Sequence, residues 1–167
     1  TTADGTAYVA DTFGARVMIV KQGSASIDTW FEDKASLVGA DGIAIAADGS
    51  VFVNNVMTSK LYRIAKGADG TAGAMTEIMT SAPIKGPDGM RFGDDGKLYL
   101  AENAAGQVSA LTITGDSAEV AVIKGGFDTP TAVSKTGNTL YVGEAKFSKM
   151  GGAEDPGQFY VYLVPLL

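Results

Sequence analysis

One segment recurs along this chain and limits the folds open to it. It reads Gly86-Pro87-Asp88-Gly89-Met90, then a second Asp-Gly pair, Asp95-Gly96, then Lys97-Leu98-Tyr99-Leu100. Upstream the same order stands as Gly39-Ala40-Asp41-Gly42-Ile43, Asp48-Gly49 and Ser50-Val51-Phe52-Val53. A degenerate copy follows downstream as Thr129-Pro130-Thr131-Ala132-Val133, Thr136-Gly137-Asn138 and Thr139-Leu140-Tyr141-Val142, and a shortened one opens the chain as Asp4-Gly5 with Thr6-Ala7-Tyr8-Val9. A period of about 40 to 50 residues, built from short alternating strands and glycine-rich turns, is the pattern of β-propeller blades rather than of helical solenoids. The expectation is an all-β partial propeller, one domain of about four blades at 1–38, 39–85, 86–128 and 129–167. The first blade lacks its first strand and the fourth its last, giving about fourteen strands. Closing these into a four-bladed ring would leave unpaired strand edges at the seam. The remaining blades are therefore expected from an N-terminal segment or a partner chain.

The two kinds of Asp-Gly differ in role. Asp48-Gly49 and Asp95-Gly96 lie between two apolar-alternating runs, where a tight hairpin needs positive φ. Asp41 and Asp88 stand just before a first strand, where no hairpin calls for them. In a propeller blade the first strand starts at the channel mouth, the turn from strand one to strand two lies at the far end, and the turn from strand two to strand three returns to the mouth. Asp41 and Asp88 are thus expected at the mouth, with Asp11, Asn55, Glu102 and Glu144 recurring at its rim and Thr131 at the position of the two aspartates in the degenerate blade.

Composition removes several chemistries. The chain has no cysteine and no histidine, so it offers no thiolate ligand, no Ser-His-Asp triad and no histidine-bound zinc. A net charge of −6 argues against nucleic acid, since no basic stripe exists to displace counterions. No apolar run approaches the roughly 18 residues a membrane helix needs. A soluble protein with no membrane partner is expected, cytoplasmic or exported. Ser24, Ser26 and Ser59 have no base in the sequence to activate them as nucleophiles, and Phe52, Tyr62, Tyr99, Tyr141 and Trp30 alternate within strands as packing between blades would require.

A ring of carboxylate and amide oxygens at a channel mouth suits one hard divalent cation, Ca²⁺ first, with Mg²⁺ also compatible. Two readings of Asp41 and Asp88 stand side by side: metal ligands, or Asx turns that bond their own backbone. Two carboxylates do not fill a Ca²⁺ shell of about 6 to 8 oxygens, so rim amides, water or other residues must add to them. The loop 146–157 passes over the same rim, either as a lid or as a variable surface loop.

These residues resemble the senescence marker protein/gluconolactonase/luciferin-regenerating-enzyme family of six-bladed propellers. The resemblance is carried by Gly86-Pro87-Asp88-Gly89-Met90 with Asp95-Gly96-Lys97-Leu98-Tyr99. Asn54-Asn55-Val56 leading to Lys60-Leu61-Tyr62-Arg63-Ile64, Ala101-Glu102-Asn103-Ala104-Ala105-Gly106 and the closing Val161-Tyr162-Leu163-Val164-Pro165-Leu166 are similar to bacterial members. It implies two more blades, on the order of 90 to 110 residues by the repeat period. It also implies one divalent metal, Zn²⁺ and Mn²⁺ being further candidates, and hydrolysis of lactones or related esters. By resemblance Asp88 is a metal ligand and the catalytic residue. Asp41 occupies a second ligand position where the family carries Asn, and the family's N-terminal acidic ligand has no counterpart here. Two functions follow: a metal-dependent lactone or ester hydrolase, or a non-catalytic propeller that binds a small molecule or protein on the same rim.

Overall fold

Val51, Phe52, Val53, Asn54 and Asn55 are all buried, as are Leu98 to Glu102. A strand buries every residue only when both faces of its sheet are covered. In the computed structural model, which describes residues 1–152, 155 and 157–166, these two strands are the second strands of stacked blades. Blade one contains β1 (Ala7–Asp11), β2 (Arg16–Val20) and β3 (Asp28–Glu32). Blade two contains β4 (Ala40–Ile45), β5 (Val51–Asn55), β6 (Lys60–Lys66) and β7 (Ala72–Glu77). After the two-residue β8 (Met79–Thr80), blade three contains β9 (Pro87–Phe92), β10 (Leu98–Glu102), β11 (Gln107–Thr114) and β12 (Ser117–Gly125). Blade four contains β13 (Pro130–Thr136), β14 (Thr139–Glu144) and β15 (Val161–Pro165). Each blade is an antiparallel meander, and the architecture is a partial β-propeller.

The period-two alternation divides side chains between neighbouring blades. Val51 and Val53 join Tyr8, Val17 and Leu37 between blades one and two, while Phe52 points the other way to Leu98, Leu100 and Met90. Tyr99 and Ala101 turn from blade three toward Val133, Leu140 and Val142 of blade four. Three apolar layers therefore hold four blades in sequence, with β1 packed on β4, β4 on β9 and β9 on β13. At the two ends the pattern stops: Val9 on blade one and Tyr141, Val161 and Leu163 on blade four are exposed. Tyr141, expected between blades, faces outward here.

Among the described residues fifteen strands stand where about fourteen were expected. The extra one is β8, expected as the tail of blade two's last strand. Ile78 still donates its N–H to Leu61 O, but Met79 donates to Asp116 O and Ser81 to Ala118 O, so the chain crosses to blade three. The crossing is anchored by Ile78 and Ile84, both buried in the layer between blades two and three. The last strand of blade four also begins later than expected, at Val161 rather than Gln158.

Candidate functional site

The first strands begin earlier than sequence spacing suggests, and this places the aspartates inside them. Ala40 pairs with Asn55 and Pro87 with Glu102, each followed by a register shift before regular pairing resumes. Asp41 and Asp88 are therefore second residues of β4 and β9, at the mouth end of adjacent inner strands. Thr131 is the second residue of β13, half-buried, and completes a row of three equivalent positions.

Glycine explains how closely these strands approach. A methyl group at Gly42 would stand 2.0 Å from the carbonyl oxygen of Asp88, and one at Gly89 would stand 2.5 Å from that of Thr131. Each glycine after the mouth residue thus lets the next blade's backbone come within van der Waals contact. Asn54, fully buried, fixes that approach: its Oδ1 accepts from Gly42 N–H at 3.0 Å and its Nδ2 donates to Asp88 O at 2.6 Å.

The carboxylates themselves are sparsely satisfied. Asp88 Oδ1 accepts from its neighbour Gly89 N–H at 2.8 Å and Oδ2 from Asn103 Nδ2 at 3.1 Å. Among the described residues the Asp41 carboxylate accepts no hydrogen bond, and burial raises its pKa. Burial and then the charge of Asp41 push the Asp88 carboxyl up to about 6, against the two hydrogen bonds that favour its ionised form. Two half-buried carboxylates, both raised by burial and one also by the charge of the other, form a site for which a cation is the natural complement.

The other rim candidates are occupied by the chain. Asn55 donates to Ser36 O and Val38 O and accepts from Met57 and Thr58 N–H. Glu102, fully buried, accepts from Lys85 N–H at 2.8 Å, Gln107 Nε2 at 3.0 Å and Ser109 Oγ at 2.5 Å. Glu144 accepts from Asp128 N–H at 2.7 Å and Tyr162 Oη at 3.2 Å, and Asp11 from Gly14 N–H and Arg16 Nε. Asn55, Glu102 and Glu144 each brace the segment leading into their own blade's first strand. At the far face Asp48 and Asp95 accept from the Ser50 and Lys97 backbone as hairpin formers. In the loop 146–157, Phe147–Lys149 forms a 3₁₀ turn and Ser148 Oγ donates to Asp128 Oδ2 at 2.5 Å. Residues 153, 154 and 156 of that loop, expected as a lid or a variable surface loop, lie outside the described residues.

Sequence reasoning passed over Asn54 and Asn103 as site residues. The signal for Asn54 was present: a polar residue inside an apolar strand, which burial tolerates only when both its amide groups are paired.

No protein-family model matches the chain, and no curated protein matches it in sequence. Solved structures do. A regucalcin from Agrobacterium tumefaciens, described as calcium-binding, superposes with a TM-score of 0.71 at 19% identity, over 98% of this chain and 58% of its own. A luciferin-regenerating enzyme gives 0.69 at 19%, over 92% and 52%. This is their propeller fold. A gluconolactonase from Xanthomonas campestris gives 0.64 at 15%, over 91% and 44%. The chain spans about half the length of these gluconolactonase-type propellers. Low identity limits the likeness to the fold, and function rests on the site.

Proposed function

We propose that this propeller is part of a metal-dependent hydrolase of lactones or related esters, with Asp41 and Asp88 at its centre. The observation that carries the reading is the pair itself: two half-buried carboxylates on adjacent inner strands, one accepting no hydrogen bond among the described residues and the other raised to about 6. Carboxylate oxygens fit a hard divalent cation, Ca²⁺ first, with Mg²⁺, Mn²⁺ and Zn²⁺ as alternatives. Such a cation, when bound, polarises an ester carbonyl and lowers the pKa of water. Asp41 and Asp88 would hold it, with further oxygens from water and from blades outside this chain.

The residues present then have defined tasks. Asn54 and Gly42 hold Asp88 against blade two, and Asn103 orients its Oδ2. Asp88, ionised at neutral pH, would accept a proton from water as the new C–O bond forms at the carbonyl carbon. The ring C–O bond breaks, the departing oxygen takes up that proton, and the product is a hydroxy acid. The exposed faces of blades one and four support completion of the ring by a further segment or a partner chain.

A second reading, a non-catalytic binding rim, draws on one observation: among the described residues no third acidic side chain joins the pair as a metal-binding group. The deciding experiment strips the complete protein with a chelator, adds back Ca²⁺, Mg²⁺, Mn²⁺ or Zn²⁺ singly, and assays a lactone panel. Turnover that requires the cation, is lost in Asp88→Asn and is retained in Asp95→Asn supports the hydrolase. Turnover unchanged in Asp88→Asn overturns it.

A further inference from the structure

Turn tips in water are ordinarily Gly, Asn, Asp or Ser, and the far face of this propeller obeys: its strand-one to strand-two turns carry Asp48-Gly49, Asp95-Gly96 and Gly137-Asn138. The mouth face does not. Three of its strand-two to strand-three turns carry Phe13, 83% exposed, Met57, 57% exposed, and Phe147 with Met150, 49% and 76% exposed. Val38, on the segment leading into β4, adds a further exposed apolar side chain. Large exposed apolar groups that recur at equivalent turns of a repeat mark a contact surface rather than chance exposure.

These tips are built onto the carboxylate site. Met57 lies against Gly39, where an added methyl would meet its Cγ at 2.9 Å, and Gly39 stands two residues before Asp41. Ala104 lies in the same way against Gly86, at 2.8 Å from such a methyl, two residues before Asp88. The repeat therefore sets one turn tip against the glycine two residues before each acidic residue, apolar and long before Asp41, apolar and small before Asp88. Phe13 holds the corresponding position on blade one.

We infer that this collar receives the apolar substituent of the substrate, so that the site takes lactones or esters bearing an alkyl or aryl chain in preference to polyhydroxylated sugar lactones. A sugar ring would leave Phe13 and Met57 in water and gain no hydrogen bond from them. An alkyl chain lying on them removes apolar area from water while its carbonyl remains at the carboxylate pair. An anionic membrane surface is a poorer occupant, because the chain carries a net charge of −6 and the collar shares its face with two carboxylates. The inference rests on the hydrolase reading for its reactive group, and on the collar alone for its chain.

The test uses the complete protein with divalent cation supplied, and a series of δ-lactones differing only in alkyl chain length. KM is expected to fall about two-fold per half-buried methylene, and up to about four-fold per fully buried one, over the first several carbons, with kcat little changed, because the chain binds equally in ground and transition states. In Phe13→Ser and Met57→Ser the ratio of long-chain to short-chain kcat/KM should collapse toward one. Calorimetric binding of the matching alkyl δ-lactams, which are not hydrolysed, reads the collar independently of turnover. Chain-length-dependent lactam binding that the serine variants abolish, without hydrolysis of any lactone, supports the collar while overturning the hydrolase. Hydrolysis or binding indifferent to chain length, or a chain-length slope unchanged in both variants, overturns the collar. So does a loss in those variants of partition to phosphatidylcholine vesicles alone.

Discussion

Asp88 is where charge and packing meet most directly. Its carboxyl has a pKa near 6 in the fold against 3.8 for an unperturbed aspartate, so the native state holds the proton more tightly than the unfolded chain. Its favourable contribution is full below about pH 4 and is lost as pH rises through about 6. In the metal-free protein that loss amounts to about 1–2 kcal/mol after allowance for partial solvent screening. Urea midpoints should therefore be higher at pH 5 than at pH 7.5 in the wild type, and Asp88→Asn should raise the pH 7.5 value while flattening the difference. An equal pH difference in the variant would place the titration elsewhere. Cation binding works against this proton, so affinity should fall as pH drops through about 6 and should be severely weakened in Asp88→Asn. The position of the aspartate at the entry to a first strand was legible in the sequence because hairpin chemistry did not require it there. The roles of Asn55, Glu102 and Glu144 were not: recurrence at a rim says that a polar group is needed there, and only the structure says that the chain's own N–H groups and side-chain donors use it.

At the scale of strands, Asn54 sets the spacing of β4 and β9. Asn54→Ala leaves Gly42 N–H and Asp88 C=O without their buried partner and should cost about 2–4 kcal/mol in chemical denaturation. Asn54→Asp restores an acceptor for Gly42 but no donor for Asp88, and adds a charge beside the acidic pair. Gly42→Ala should be at least as harmful, since its methyl would meet the Asp88 carbonyl at 2.0 Å and overpacking of this kind typically costs about 1–3 kcal/mol or more. A Gly42→Ala protein as stable as wild type would show that the blades can separate freely at the mouth. Strand alternation made the second and third strands of each blade readable, because their faces are both buried and their period is two. The start of the first strand was misplaced because a register shift lies between the aspartate and the regular pairing. The switch at Ile78 was invisible because Met75 to Met79 continues as a plausible single strand until hydrogen-bond partners are known.

Across the whole molecule, the repeat announced the propeller, while the end faces determine its behaviour in solution. Val161, Leu163 and Tyr141 expose an apolar strip on blade four, and Val9 exposes its counterpart on blade one. The chain expressed alone should self-associate or bind a hydrophobic dye, and Val161→Ser with Leu163→Ser should reduce both without shifting the unfolding midpoint by more than about 0.5 kcal/mol, as expected for exposed positions. Sedimentation of the two forms at equal concentration checks it. A monodisperse, dye-silent wild type would mean that these faces need no cover. The pairing pattern has one more consequence, for the order in which the chain comes together. Among the described residues ten of the eleven strand pairings join neighbours in sequence, so during synthesis each meander can close soon after its last strand emerges. The exception is β8, whose parallel partner β12 is made four strands later. Blade two thus leaves a short tail waiting, and the growing chain joins its second and third blades at the periphery only when the third is finished.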